Sequence, residues 1–252
     1  MFIKINANNT IGCAMSIPKK ITPCPLIDCA IEFRFKSSIE PGAVFGIVYN
    51  AFKNDYPNIK KMPILNLPEQ LRSVDPNLIY QPWYRLWNGG FVLATGPREL
   101  MLGRAGEYPG WTVFSGKLNH AVNTLEKLGI VDRIERVGIR YINFFDFDIF
   151  DRIKLTLAID NKSITGNETL VRVNIPSEHF MSRLHVTNRA SVNIEGVSKT
   201  GSVIDIDTHL DVGLDDFFQN SASVIEEGHN EEKKVFFELL KDDFLETLAP
   251  EY

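Results

Sequence analysis

No apolar run in this 252-residue chain approaches the ~20 residues that a bilayer-spanning helix needs. The longest uncharged apolar stretches, such as those at 43–49 and 141–145, are far shorter, so no membrane-spanning helix is expected. Cysteine is scarce: Cys13, Cys24 and Cys29 are the only three, all toward one end. An odd number builds no closed disulfide framework. The Cys24/Cys29 spacing, with no second ligand pair after it, is not that of a zinc site. The opening stretch, MFIKINANNTIGCAMSIPKK, has no continuous apolar segment before a small-residue cleavage site, which argues against a signal peptide. These absences point to a reducing, cytoplasmic setting.

The common catalytic signatures are missing too. There is no G-x-S-x-G elbow, no Gly-rich phosphate loop and no H-E-x-x-H. His179, His185 and His229 stand isolated, and His120 lies on the polar side of an expected helix, so all four read as surface or internally satisfied histidines. Nucleic acid is not the favoured partner. The chain has no RNP-like motif, recognition helix or dense Lys/Arg run, and its net charge is −5. Trp83, Tyr84, Trp87, Phe91 and Trp111 are aromatics of a kind that stacks bases, but core and interface packing explain them better.

What is present is an ordinary globular composition, 44% hydrophobic and 23% charged, with an uneven charge distribution. Residues 1–145 carry 17 Lys/Arg against 11 Asp/Glu, a net of +6. Residues 146–252 carry 10 against 21, a net of −11. Such a chain can dock its halves on each other, pair with a copy of itself, or offer a basic face to an anion.

Alternation predicts strands. At 27–36, Ile31, Phe33 and Phe35 face one way and Glu32, Arg34 and Lys36 the other. Pro41 opens a helix with Val44, Ile47, Val48, Ala51 and Phe52 along one stripe. Residues 57–82, with five of the thirteen prolines, read as an irregular connector. Asn88-Gly89-Gly90 marks a hairpin between strands at 84–87 and 91–95. A strand at 99–104, a helix at 112–128 stopped by Gly129, and a strand at 136–145 complete the first half. In the second half, strands are expected at 154–159, 170–175, 183–195 and 202–210, with a helical piece at 177–181. A last helix is expected at 231–248, capped by Asn230. The fold class is α+β: a mainly antiparallel sheet with amphipathic helices on one face. It divides into two related subdomains, 1–145 (basic) and 146–252 (acidic).

Three stretches, Ile31-Glu-Phe-Arg-Phe35, Arg140-Tyr-Ile-Asn143 and Val203-Ile-Asp-Ile-Asp207, resemble a sporadically distributed prokaryotic family of uncharacterised proteins of about this length. The resemblance implies no enzyme activity. It implies a non-enzymatic binding or regulatory protein that acts through a protein partner or a homo-oligomer, in a prokaryotic defence or toxin-control module.

Two clusters are candidate sites. In Asp205-Ile-Asp207-Thr-His209-Leu-Asp211, a period of two puts Asp205, Asp207, His209 and Asp211 on one strand face, with Asp205, Asp207 and His209 as the candidate ligands. Oxygen and imidazole ligands of this kind suit Mg²⁺ or Mn²⁺, and hence a divalent-metal-dependent phosphoesterase or nuclease. The alternative is that an exposed strand face is simply polar. In the second cluster, Arg34 and Lys36 share one strand face and Arg136 and Arg140 another; with Glu32 among them, Arg34 and Arg140 would hold a phosphate or nucleotide if the strands are neighbours, giving a nucleotide or small-anion sensor. The same groups would serve equally as salt bridges to the acidic half.

Overall fold

The computed structural model describes residues 17–164, 168–194 and 196–252. Cys13 and most of the N-terminal arm therefore lie outside the described residues, as does Glu195 at the end of an expected strand. The chain begins its sheet with β1 (Leu26–Lys36), in which Cys29, Ile31, Phe33 and Phe35 are buried and the residues between them are not. α1 (Pro41–Phe52) starts at Pro41 as expected, and the Glu40 carboxylate caps it by accepting from the Gly42 and Ala43 N–H groups. The connector is less irregular than its prolines suggest. It holds β2 (Asn58–Lys61), a 3-10 turn (Pro63–Asn66) and α2 (Glu69–Val74), each bounded by one of those prolines or lying between two of them.

β3 (Tyr84–Asn88) and β4 (Phe91–Gly96) form the expected hairpin. Gly89 and Gly90 take positive φ at its turn, which glycine adopts without steric cost. β5 (Glu99–Ala105), α3 (Trp111–Lys127) and β6 (Arg133–Phe145) follow. The second half contributes β7 (Ala158–Ile159) and β8 (Lys162–Ser163), a two-stranded ribbon, then β9 (Leu170–Pro176), β10 (Met181–Ile194) and β11 (Val197–Leu210). α4 (Phe217–Leu239) and α5 (Asp242–Glu246) close the chain.

Nine strands make one antiparallel sheet in the order β2-β3-β4-β5-β1-β6-β11-β10-β9. β6 pairs with β1 on one side and β11 on the other, so the sheet runs unbroken from the basic residues to the acidic ones. The helices pack against one face, which gives the α+β class expected from the patterning. Among the described residues no helix is long and apolar enough to cross a membrane.

The buried side chains fall into two clusters on the helix-covered face. Phe33, Phe35, Val48, Phe52, Phe114 and Ile139 lie in the first; Phe150, Val186, Ile204, Ile206, Phe236 and Phe244 lie in the second. Each such side chain contributes ~1.5–3 kcal/mol by leaving water. α4 bridges both clusters, with Ile225 in one and Phe236 in the other. It comes close to the sheet at Gly228, where an added Cβ would run into the Ile139 and Phe180 side chains.

Three expectations are corrected. The last helix begins at Phe217 and not near 231, and Asn230 lies inside it. Phe217 and Ile225 are buried against the sheet, so tertiary packing outweighs the low helix propensity of the Ser, Asn and Gly residues there. It ends at Leu239 because the backbone is then taken up by pairing: Ile153 bridges Leu240, and the Lys241 N–H donates to Arg152 O at 2.9 Å. The same pairing removes the expected strand at 154–159 except for its last two residues. The piece expected to be helical at 177–181 is a tight turn over 177–180 that leads into Met181 of β10, and the Ser177 N–H donates to Phe180 O at 2.8 Å.

Candidate functional site

The face of the sheet turned away from the helices gathers the residues that the sequence singles out. Strand register sets their order: Arg34 lies opposite Arg136, and Arg140 lies opposite Asp207. Arg34 donates to both Glu32 oxygens, Nε to Oε2 at 2.9 Å and Nη2 to Oε1 at 3.1 Å. Arg136 donates from Nη1 to the same Glu32 and from Nη2 to both Asp207 oxygens, at 2.9 and 2.8 Å. Arg183 reaches Asp207 Oδ2 at 3.3 Å from the far side. A ladder Arg34–Glu32–Arg136–Asp207–Arg183 thus crosses β1, β6, β11 and β10. Gly138 makes room for it, because any Cβ there would collide with the Arg136 guanidinium.

Arg140 and Asp205 form a second, separate pair, a two-bond fork at 2.8 and 2.7 Å. Such paired geometry is the strong form of an ion pair. It also occupies both oxygens of each aspartate. Asp205, Asp207 and His209 do share a strand face, as expected. The two carboxylates are nevertheless turned to guanidinium groups, and His209 joins neither pair. Among the described residues no three His, Cys, Asp or Glu side chains are grouped to hold a metal ion. Asp211 lies beyond the end of β11. Arg34, likewise, spends its guanidinium on Glu32. Arg140 borders a small cavity of about 230 Å³ with Asp28, Arg85, Met62 and Met101, so the two arginines do not converge on one ligand position.

A larger cavity, about 750 Å³, lies on the other face and was not foreseen from the sequence. Its floor is β6 and β1, through Tyr141, Asn143 and Leu26. One wall is the β5–α3 loop with the start of α3: Tyr108, Pro109, Gly110 and Trp111. The opposite wall is α4, which places Glu226, His229, Glu232, Lys233, Phe236 and Phe237 along one stripe at helical spacing. Lys19, Lys20, Ile21, Cys24 and Pro25 border the remaining side.

The polar groups in this cavity are in unusual states. Glu232 is 1% exposed, and its Oε1 has no hydrogen-bond partner among the described residues. Burial holds its carboxyl well above the usual carboxylate range, with the nearby Lys233 charge pulling the other way. His229 is 5% exposed; its ring stacks on Trp111 with centroids 3.7 Å apart, and its Nδ1 is 2.8 Å from the Tyr141 hydroxyl. Burial presses this imidazole down to about 3, and Lys233 adds to the effect. Among the described residues the buried Tyr108 hydroxyl makes no hydrogen bond of good geometry, the Tyr141 hydroxyl being its main polar influence. Burial raises the Tyr108 and Tyr141 phenols and the Cys24 thiol. The inner wall therefore presents a carboxyl whose burial favours its protonated form, a neutral imidazole and two phenols. The Trp111 Nε1 donates to Glu226 Oε2 at 2.6 Å and fixes the indole at the cavity wall.

An aromatic cavity of this size with a few buried, convergent polar groups is the arrangement that holds small organic ligands. Burying a carboxyl without a partner costs free energy, which makes Glu232 a candidate contact for a bound group. The readable signal was the His229/Glu232 spacing of three on an amphipathic helix. The aromatic stretch Tyr108–Trp111 that meets them is brought in only by the fold. Neither any protein-family model nor any curated protein matches this chain.

Proposed function

We propose that the protein is a non-enzymatic, ligand-binding regulatory protein whose site is the cavity between the start of α3, α4 and β6. The observation that carries this reading is Glu232: fully buried, without a hydrogen-bond partner for Oε1, and part of the wall of a 750 Å³ cavity. The stacked Trp111/His229 pair supplies a rigid apolar wall beside it. α4 carries both the site and part of each hydrophobic cluster, so a bound ligand would stabilise the helix that ties the cores together. A protein partner or a second copy would then read that change.

The test is a thermal-shift screen of small aromatic fragments, with hits followed by NMR titration. A ligand at one hundred times its Kd stabilises the fold by ~2.7 kcal/mol. Hits are expected to bind the wild type and to lose at least tenfold in affinity in Trp111→Ala and Glu232→Leu. Hits whose affinity is unchanged in both variants, or a panel with no hit, would overturn the reading.

A further inference from the structure

The charges around the cavity narrow the ligand class, on the reading that this cavity is a ligand site. α3 begins at Trp111, after Gly110 with φ of +88°, and no side chain caps it. The first N–H groups of a helix have no intrahelical acceptor and carry the positive end of its dipole. Gly110, Trp111 and Thr112 at this end line the cavity, and so do Lys19, Lys20 and Lys233. Lys20 is drawn to Glu251 at 3.8 Å, whereas Lys233 is half-buried and burial lowers its ammonium below the usual lysine range.

The opposing groups are Glu107, Glu226 and Glu232. Glu226 accepts from the Trp111 indole N–H, and burial favours the neutral form of Glu232. A bare helix N-terminus that shares a cavity with a partly desolvated lysine suits an anion, and phosphate above all. A cationic ligand would meet the same helix end and the same lysines unfavourably.

Elsewhere in the cavity the requirements differ. Tyr108, Tyr141 and Trp111 line it with aromatic surface, Trp111 having one face stacked on His229, and the unpartnered Glu232 carboxyl calls for a hydrogen-bonding ring edge. A carboxyl accepts, and in the protonated form that burial favours it also donates, which suits the alternating N–H and C=O groups of a heterocycle.

We infer that the cavity binds a nucleoside monophosphate: the base among Tyr108, Tyr141 and Trp111 with its edge toward Glu232, and the phosphate at the start of α3 with Lys233. The volume, about 750 Å³, is within the range of sites that bury a ligand of this size.

The test is calorimetric titration of the full chain with AMP, GMP, CMP and UMP, their parent nucleosides, inorganic phosphate, and indole as a plain aromatic probe. At least one monophosphate is expected to bind tenfold or more tightly than its nucleoside. That increment should shrink at least fivefold in Lys233→Met. Glu232→Leu should weaken nucleotide and nucleoside alike by about tenfold, and Glu232→Gln, which keeps a neutral hydrogen-bonding group of the same shape, should weaken them less. If nucleosides or indole bind in a Trp111-dependent way and phosphate adds nothing, the nucleotide assignment fails while the cavity remains a ligand site. Inorganic phosphate binding as tightly as any monophosphate would reduce the site to an anion hole and also defeat the assignment. If no probe binds, both readings fall.

Discussion

Arg136 on β6 holds both carboxylate oxygens of Asp207 on β11, at 2.9 and 2.8 Å, across 71 residues of chain. The donor belongs to the basic half and the acceptor to the acidic half. The charge split in the sequence is thus partly used to bring two neighbouring strands together, with Glu32 from β1 as a third member.

Arg136→Ala should therefore be costly. The Arg136, Glu32 and Asp207 side chains are 14%, 20% and 19% exposed, so removing the cation between them leaves Glu32 with Arg34 alone and Asp207 with only the longer contact to Arg183. The expected loss is about 3 kcal/mol in chemical denaturation. Arg140→Ala, at a side chain 53% exposed, should lose about 1 kcal/mol or less. Equal effects in the two variants would contradict the ladder.

Divalent cations should not find a site at Asp205 and Asp207. Both oxygens of each accept from arginine, and a metal would have to displace guanidinium groups that already match the carboxylates. Millimolar Mg²⁺ or Mn²⁺ should leave the Tm unchanged within error. Asp207→Asn should lower the Tm in the presence or absence of either ion. A Tm rise with metal that disappears in Asp205→Asn would revive the phosphoesterase reading.

Glu232→Gln should stabilise the protein at neutral pH. The folded-state pKa of Glu232 is raised by burial above the unfolded value of 4.5, so its protonated form favours folding. That contribution is fully present below about pH 4.5 and is lost as pH rises toward and through the folded value. The stability gap between Glu232→Gln and the wild type should widen steadily above pH 4.5. A pH-independent gap would mean that the carboxyl is already ionised in the fold.

His229 works in the opposite direction. Its folded value of about 3 lies below the unfolded 6.5, so its stabilising contribution is present above pH 6.5 and lost as the pH falls toward 3. Fully developed, the loss is on the order of 5 kcal/mol. His229→Gln should flatten the acid limb of the stability curve between these pH values. Tyr141→Phe, which removes the hydroxyl bonded to Nδ1, should shift the imidazole without abolishing its titration, as read by NMR.

Much of the architecture was legible because it is written at short range. Period-two alternation at Ile31, Phe33 and Phe35, the Asn88-Gly89-Gly90 turn and the proline at the start of α1 each fix a local conformation with a local cause. Even the polar strand faces at Glu32/Arg34 and Asp205/Asp207 were correctly grouped, since side chains two apart must share a face. The misplaced elements are those whose cause is distant. α4 starts fourteen residues early because Phe217 and Ile225 find a sheet to cover, and it stops because Ile153 pairs with Leu240.

The cavity lies at the far end of that scale. His229 read as an isolated histidine and Trp111 as packing, and along the chain each is unremarkable. Their sequence positions differ by more than one hundred residues, yet their rings stack at 3.7 Å with Tyr141 behind them and Glu232 one helical turn away. Amino-acid order alone decides which face of each strand and helix is apolar, because that depends on the fixed repeat of the backbone. Which charged groups neutralise one another, and which polar group is left buried and unpaired, depends on the partners that strand order and helix docking bring within a few ångströms, and only the assembled fold supplies them.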